Sequence, residues 1–176
     1  KTGHSHMKRR VKEIGALAGF EKSGHYFLNG PVGRGYDCGL RIAVELCKLM
    51  ARNPDARMSD LYAALPTTFA TPTMAPYCAD DEKYDTLARI VTKLQGMAEA
   101  GQTIAGRAIE QIITVNGARV QLAGGGWGLV RASSNTPNLV VVCESPTSDT
   151  EMRSIFKDLA AVIRTEPSVG AYDQSL

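Results

Sequence analysis

The segment Leu139-Val-Val-Val-Cys143 is the most apolar run in the chain, and it limits the folds open to it. It is strand-sized, far below the ~18 apolar residues that mark a membrane-spanning helix, so no membrane span is expected. Its uniform, non-alternating hydrophobicity predicts a strand over Leu139–Glu144 that is buried on both faces or central in its sheet. Next comes Ser148-Asp-Thr-Glu151, the S-x-x-E form of a capping box. It predicts a final helix with an inner stripe of Met152, Ile155, Phe156, Leu159, Val162 and Ile163. The tail after Pro167 reads as loose.

Upstream of this strand lie three further β-like runs, Ile109–Val115, Arg119–Leu122 and Trp127–Arg131, the last two separated by Gly124-Gly-Gly126. A strand over Met74–Ala79 is expected to lead into a long helix, Asp81–Glu99, with Tyr84, Leu87, Ile90, Val91, Leu94 and Met97 inward. A loop over Gly101–Gly106 follows. Strands grouped between helices, without a βαβ repeat, predict an antiparallel sheet with helices on one face. The β-branched, proline-containing stretch Thr67-Thr-Phe-Ala-Thr-Pro72 is where a domain boundary is expected, giving units of residues 1–70 and 72–176.

The first unit opens on a predicted helix over Ser5–Ala18, with Met7, Val11, Ile14 and Leu17 on one face and Gly19 as its stop. A loop over Glu21–His25, a short strand Tyr26–Leu28 and a turn through Gly30, Pro31, Gly33 and Gly35 come next. From Asp37 the apolar positions Leu40, Val44, Leu46, Cys47 and Met50 predict an amphipathic helix ended by Asn53-Pro54. A short helix over Ser59–Leu65 stops at Pro66. The fold class is therefore α/β followed by α+β.

A chain of 176 residues with 44% hydrophobic and 22% charged residues has the makeup of a folded protein, not of a disordered one. Twenty Lys and Arg against eighteen Asp and Glu leave a formal charge of +2, too balanced to predict nucleic acid or an anionic membrane as partner. Any anion must be bound locally. Cys38, Cys47, Cys78 and Cys143 form no C-x-x-C pair and no zinc-type spacing with the histidines, so free thiols in a reducing compartment are expected. No secretory signal is read at the N-terminus, and the expected location is cytoplasmic.

Two loops carry candidate chemistry. In Arg131-Ala-Ser-Ser-Asn-Thr-Pro137, an arginine able to grip two phosphate oxygens is followed by hydroxyl, amide and main-chain donors that can form a nest for an anion. An ordinary β-turn explains the same residues. In Glu21-Lys-Ser-Gly-His25, a carboxylate, a hydroxyl and an imidazole converge on a glycine turn and can hold a polyol. A solvated loop explains these. The Gly-His-Ser-His-Met run at residues 3–7 also fits the remnant of a purification tag. The cluster Lys8, Arg9, Arg10 and Lys12, with Glu13 beside it, reads as a solvated helix face, and Trp127 as packing.

Together the motifs resemble one family, the α-D-phosphohexomutases, and most closely the bacterial phosphomannomutase/phosphoglucomutase branch. Its members carry K-T-G-H, then G-E-x-S-G-H, then G-[YF]-D-D-G, then R-x-S-G-T-x-P or a variant. This chain has Lys1-Thr-Gly-His4, Phe20-Glu-Lys-Ser-Gly-His25, Gly35-Tyr-Asp-Cys-Gly39 and Arg131-Ala-Ser-Ser-Asn-Thr-Pro137, in that order. Four matches in register displace the tag reading of His4. Phe20, Cys38 and Ser134-Asn135 depart from the pattern, which puts local backbone shape and the identity of the phosphate donors in question.

The resemblance implies the C-terminal half of a four-domain enzyme that interconverts hexose 1-phosphates and 6-phosphates through a 1,6-bisphosphate and an enzyme phosphoserine. Residues 1–70 would be the latter part of its third, α/β domain, and residues 72–176 its fourth, an antiparallel sheet with helices on one face. It implies that His4, Glu21, Lys22, Ser23, Gly24 and His25 meet the sugar, with His25 a candidate for proton transfer, and that Arg131, Ala132, Ser133, Ser134 and Asn135 hold the phosphate that is not transferred. It implies Mg2+ and glucose 1,6-bisphosphate for the parent enzyme, mannose or glucose phosphates as substrates, and the missing N-terminal domains as partners. No metal ligand is expected here: nothing resembles the family's T-A-S-H-N-P serine loop or its D-G-D-G-D-R magnesium loop. The isolated chain is accordingly expected to be inactive. A stand-alone phosphosugar-binding module and a piece of a phosphoglucosamine mutase are the alternative readings.

Overall fold

A computed structural model describes residues 3–176, which divide into two compact units, one reaching to Leu65 and the other running over Pro66–Leu176. Lys1 and Thr2 of the K-T-G-H match lie outside the described residues.

In the first unit, helix α1 covers His4–Glu13, strand β1 Ala18–Phe20, strand β2 Tyr26–Leu28, helix α2 Gly39–Arg52 and helix α3 Met58–Ala63. Helix α1 ends well before the expected Gly19. Gly15, at φ 61°, takes the left-handed conformation, its N–H donating to the Lys12 carbonyl and the N–H of Ala16 to that of Val11. This paired closure is a Schellman turn, for which glycine carries no Cβ penalty. Residues past the stop are freed to form β1, which pairs antiparallel with β2 and sets Phe20 opposite Tyr26, their rings stacked at 6.2 Å. Phe20 is thus accommodated as a cross-strand aromatic pair. Of the predicted α1 face, Val11 is buried, while Ile14 and Leu17 are exposed.

Helix α2 corrects a second expectation. None of its residues is buried, and Leu40, Val44 and Leu46 of the predicted inner face are exposed, as is Cys47. Helical periodicity reports that a face favours cover, not that the same chain supplies it.

The second unit is a six-stranded antiparallel sheet in the order β3-β8-β7-β6-β5-β4, built from Phe69–Ala70 (β3), Thr103–Ile104 (β4), Arg107–Ile113 (β5), Ala118–Leu122 (β6), Trp127–Ala132 (β7) and Leu139–Ser145 (β8). Two helices, α4 over Lys83–Glu99 and α5 over Asp149–Ile163, pack on it. The uniformly apolar β8 lies inside the sheet, between β3 and β7, where Val141 and Val142, neighbours facing opposite ways, are both buried. Ile90 and Leu94 of α4 and Ile155, Leu159 and Ile163 of α5 share one core with Ala118, Val120, Leu122, Val130, Leu139, Val141 and Cys143 of the strands. Gly128 permits this approach, since a Cβ there would sit 2.8 Å from a Leu159 methyl. Burial pushes the Cys143 thiol up to about 12, so it acts as an apolar core residue. Ser148 caps α5 as expected, its hydroxyl accepting the Glu151 N–H at 3.1 Å.

Five expectations change in this unit. Thr103–Ile104, within the expected loop over Gly101–Gly106, forms β4. Phe69–Ala70, within the expected linker, forms β3, and the division between the units falls at Leu65/Pro66. Residues 74–79 form no continuous strand, only the isolated bridges Met74↔Val141 and Tyr77↔Asn138, because Pro76 has no N–H to donate. Tyr84 is exposed, and α4 instead buries Lys83 and Thr86. The tail after Pro167 is fastened: Tyr77 N–H donates to the Ala171 carbonyl, Gly170 N–H to the Tyr77 carbonyl, Ala75 N–H to Asp173, and the Gln174 amide to the Thr73 carbonyl.

Candidate functional site

In the first unit the antiparallel pairing of β1 with β2 makes Glu21–His25 a hairpin loop. Glu21 N–H donates to the His25 carbonyl at 3.0 Å and Gly24 N–H to the Glu21 carbonyl at 2.9 Å, with Gly24 at φ 88°. Lys22, Ser23 and Gly24 are exposed at its tip. Glu21 Oε1 accepts the N–H of Gly3, at 2.9 Å, which ties the loop to the start of α1 and brings His4 over it. The His4 and His25 rings meet edge to face at 4.4 Å, and His4 also rests on the fully buried Phe27 at 5.4 Å.

The residue that organises this cluster is Asp37, the aspartate of Gly35-Tyr-Asp-Cys-Gly39. Its Oδ2 lies 2.7 Å from His25 Nδ1 and 3.6 Å from His4 Nε2, and its Oδ1 accepts the Tyr26 N–H at 3.2 Å. The hydrogen bond from His25, followed by that from Tyr26, holds the Asp37 carboxyl below the usual carboxylate value of 3.8. An ionised carboxylate only accepts, so His25 Nδ1 carries the hydrogen and Nε2 is the nitrogen left to act. Asp37 has no role among the residues expected from the sequence, although the Gly35-Tyr-Asp-Cys-Gly39 motif that contains it is the signal for it.

In the second unit, the loop Ser133–Asn138 joins β7 to β8. Ser133 N–H donates to the Asn138 carbonyl at 2.9 Å, and the Ser133 hydroxyl accepts the N–H groups of Asn135 and Thr136 and pairs with the Thr136 hydroxyl at 2.8 Å. Ser133 is thus buried as the frame of the loop, whereas Ser134 and Asn135 are exposed, and among the described residues their side chains make no hydrogen bond within the protein. Ala132 is buried at the end of β7, and its carbonyl accepts from Arg131 Nη1 at 3.1 Å. Partial burial lowers the Arg131 pKa, a desolvation that favours pairing with an anion. Lys83, also absent from the sequence reading, supports the loop from below: its ammonium is buried, 2.5 Å from Asp80 and 3.1 Å from the Thr136 carbonyl. Trp127 packs under the Arg119 guanidinium at 4.6 Å.

Among the described residues, the only group of three metal-capable side chains is His4, His25 and Asp37. Two imidazoles and one carboxylate do not suit the Mg2+ implied by the resemblance, which takes oxygen ligands in octahedral geometry. Arg9 and Arg10 of the basic cluster face Glu13 at 3.5 and 3.7 Å, as a solvated helix face does.

The first unit thus carries a pair of imidazoles on a carboxylate, and the second an arginine-led loop with exposed hydroxyl and amide groups. Residues 1–69 match the family profile of the phosphoglucomutase/phosphomannomutase alpha/beta/alpha domain III, and residues 78–162 that of the phosphoglucomutase/phosphomannomutase C-terminal domain. The chain belongs to the phosphoglucomutase/phosphomannomutase family. It is 34% identical over 171 residues to the phosphomannomutase/phosphoglucomutase of Pseudomonas putida, covering 96% of this chain and 34% of that protein. To the phosphoglucomutase of Neisseria meningitidis serogroup A it is 31% identical, covering 96% and 34%. A crystal structure of a phosphoglucomutase/phosphomannomutase family protein from Burkholderia thailandensis superposes with a TM-score of 0.76 at 28% identity, over 99% of this chain and 33% of that one. The chain thus spans about a third of the length of these relatives.

Proposed function

We propose that this chain is the sugar- and phosphate-recognising part of a hexose-phosphate mutase that interconverts hexose 1-phosphate and 6-phosphate through a 1,6-bisphosphate. Glu21, Lys22, Ser23 and Gly24 would meet sugar hydroxyls, joined by His4 and by His25 through Nε2. Arg131, with Ser134 and Asn135, would hold the phosphate that is not being transferred, on a loop framed by Ser133 and Ala132. The observation that carries the reading is the Arg131 loop: a partly desolvated guanidinium beside exposed hydroxyl and amide donors, framed so that its own scaffold bonds are already satisfied. Such a site is worth building for a dianion and has little use for a neutral sugar.

Transfer itself depends on positioning and on charge stabilisation at the reacting phosphate. The phosphoserine, the Mg2+ and the glucose 1,6-bisphosphate intermediate belong to the parent enzyme, whose serine and magnesium loops this sequence lacks. In the parent, Mg2+ would offset charge on the transferring phosphoryl group. Because the substrate must bind in both orientations, each loop has to accept either end of the sugar. Exposed, single-residue donors suit that demand better than a closed pocket.

Calorimetric titration with glucose 1-phosphate tests this. Binding by the chain is expected to weaken in Arg131→Ala by roughly tenfold to a hundredfold, as loss of a charged contact worth about 1.5–3 kcal/mol requires. Equal affinity of the two proteins would refute the assignment. A coupled assay of the isolated chain with mannose 1-phosphate is expected to show no mannose 6-phosphate.

A further inference from the structure

We propose that His4 Nε2, His25 Nδ1 and Asp37 Oδ2 form a binding site for a borderline divalent cation of the zinc class. One ligand atom from each of the three residues lies within 4.8 Å of the other two, and Asp37 Oδ2 stands 2.7 Å from His25 Nδ1 and 3.6 Å from His4 Nε2. Ligands of a tetrahedral Zn2+ at about 2.0–2.2 Å stand roughly 3.3 Å apart, a spacing that both Asp37–imidazole distances, 2.7 and 3.6 Å, bracket, and the two ring nitrogens, within 4.8 Å of each other, close on it by side-chain rotation. The ion takes the place of the Nδ1 hydrogen that now joins His25 to Asp37.

Three features prepare the set. Asp37 Oδ1 is held by the Tyr26 N–H, the kind of outer bond that orients a ligating carboxylate. A backbone bridge between Phe27 and Asp37 fixes the aspartate against β2, so that His25, next but one to Phe27, and Asp37 keep their spacing. The His4 ring is set by its contact with Phe27 and by the Glu21–Gly3 bond at the start of α1. The three side chains are 48%, 41% and 26% exposed, which leaves an entry path and an outward position for water as the fourth ligand. Imidazole-rich donor sets select zinc-class ions over Mg2+ and Ca2+.

This site goes beyond the sugar-binding reading and stands or falls separately, because the test contains no sugar. The full chain is titrated with Zn2+ against a chromophoric chelator, with circular dichroism to confirm each variant's fold. One saturable site is expected, weakened at least tenfold in His4→Ala and in Asp37→Asn and unchanged in a Cys38→Ser/Cys47→Ser variant. Wild-type affinity in both ligand variants, or loss only in the cysteine variant, would overturn the proposal. Cadmium NMR of the wild-type chain is the second measurement: a resonance in the nitrogen/oxygen range is expected, and one in the thiolate range would overturn it independently of any substitution.

Discussion

Asp37 and His25, twelve residues apart, meet through a 2.7 Å bond from His25 Nδ1 to Asp37 Oδ2, and the second carboxylate oxygen holds the Tyr26 N–H of the adjoining strand. One side chain thereby sets the orientation of an imidazole and closes the loop that carries it.

Replacing Asp37 with alanine removes both acceptors. The expected result is a His25 ring whose nitrogen resonances show mixed tautomers, and several-fold weaker binding of glucose 1-phosphate. Binding of inorganic phosphate, proposed to need only the Arg131 loop, is expected to stay unchanged. Nitrogen NMR of the ring together with the two titrations checks this.

Lys83 reaches the Thr136 carbonyl from a buried position, so it braces the Ser133–Asn138 loop, proposed above to hold an anion, without standing in it. Lys83→Met is expected to leave the carbonyl unpaired and to weaken inorganic phosphate binding, with partial recovery in Lys83→Arg. A Lys83→Met protein that binds phosphate as tightly as the wild type would show that the loop holds its shape unaided.

Deleting residues 168–176 is expected to destabilise the second unit by on the order of 5 kcal/mol, from the four hydrogen bonds to residues 73–77 and the Thr86–Ser168 hydroxyl pair, at a net ~0.5–1.5 kcal/mol each. Val169, Tyr172 and Leu176 pack on its core and are lost with them. Urea denaturation of the two proteins measures the difference.

Glu166 is buried between Lys93 Nζ at 2.5 Å and Arg89 Nε at 2.6 Å, and these bonds, that of Lys93 foremost, hold its carboxyl below the ordinary 4.5. A carboxyl whose folded value is depressed stabilises the fold above its unfolded pKa, and the contribution fades as pH falls through the lowered folded value. Wild type is therefore expected to lose more stability than Glu166→Gln between about pH 5 and pH 3. Parallel denaturation series at the two pH values test it.

Each unit's candidate loop could be read from the chain because its chemistry is local: Glu21–His25 and Arg131–Asn135 each lie within one short segment. Asp37 stands in the Gly35-Tyr-Asp-Cys-Gly39 motif, but its bond to His25, 12 residues away, and that of Lys83 to the Thr136 carbonyl, 53 residues away, could not be read, since nothing in local spacing reports such pairings. The stop of α1 was misplaced for a related reason. Gly15 and Gly19 are equal as letters, and only the backbone bonds of Ala16 and Gly15 choose between them.

The sequence by itself determined the strand at Leu139–Cys143, the capped α5, the antiparallel sheet and the two loops, all of which rest on periodicity, caps and turn residues acting over a few positions. Only the tertiary structure decided that Phe69–Ala70 joins the sheet, that the tail is strapped to residues 73–77, and that α2 keeps its apolar face uncovered within the described residues. Those outcomes depend on whether distant segments supply partners for backbone and apolar groups, a question that hydrophobic pattern raises and long-range packing answers.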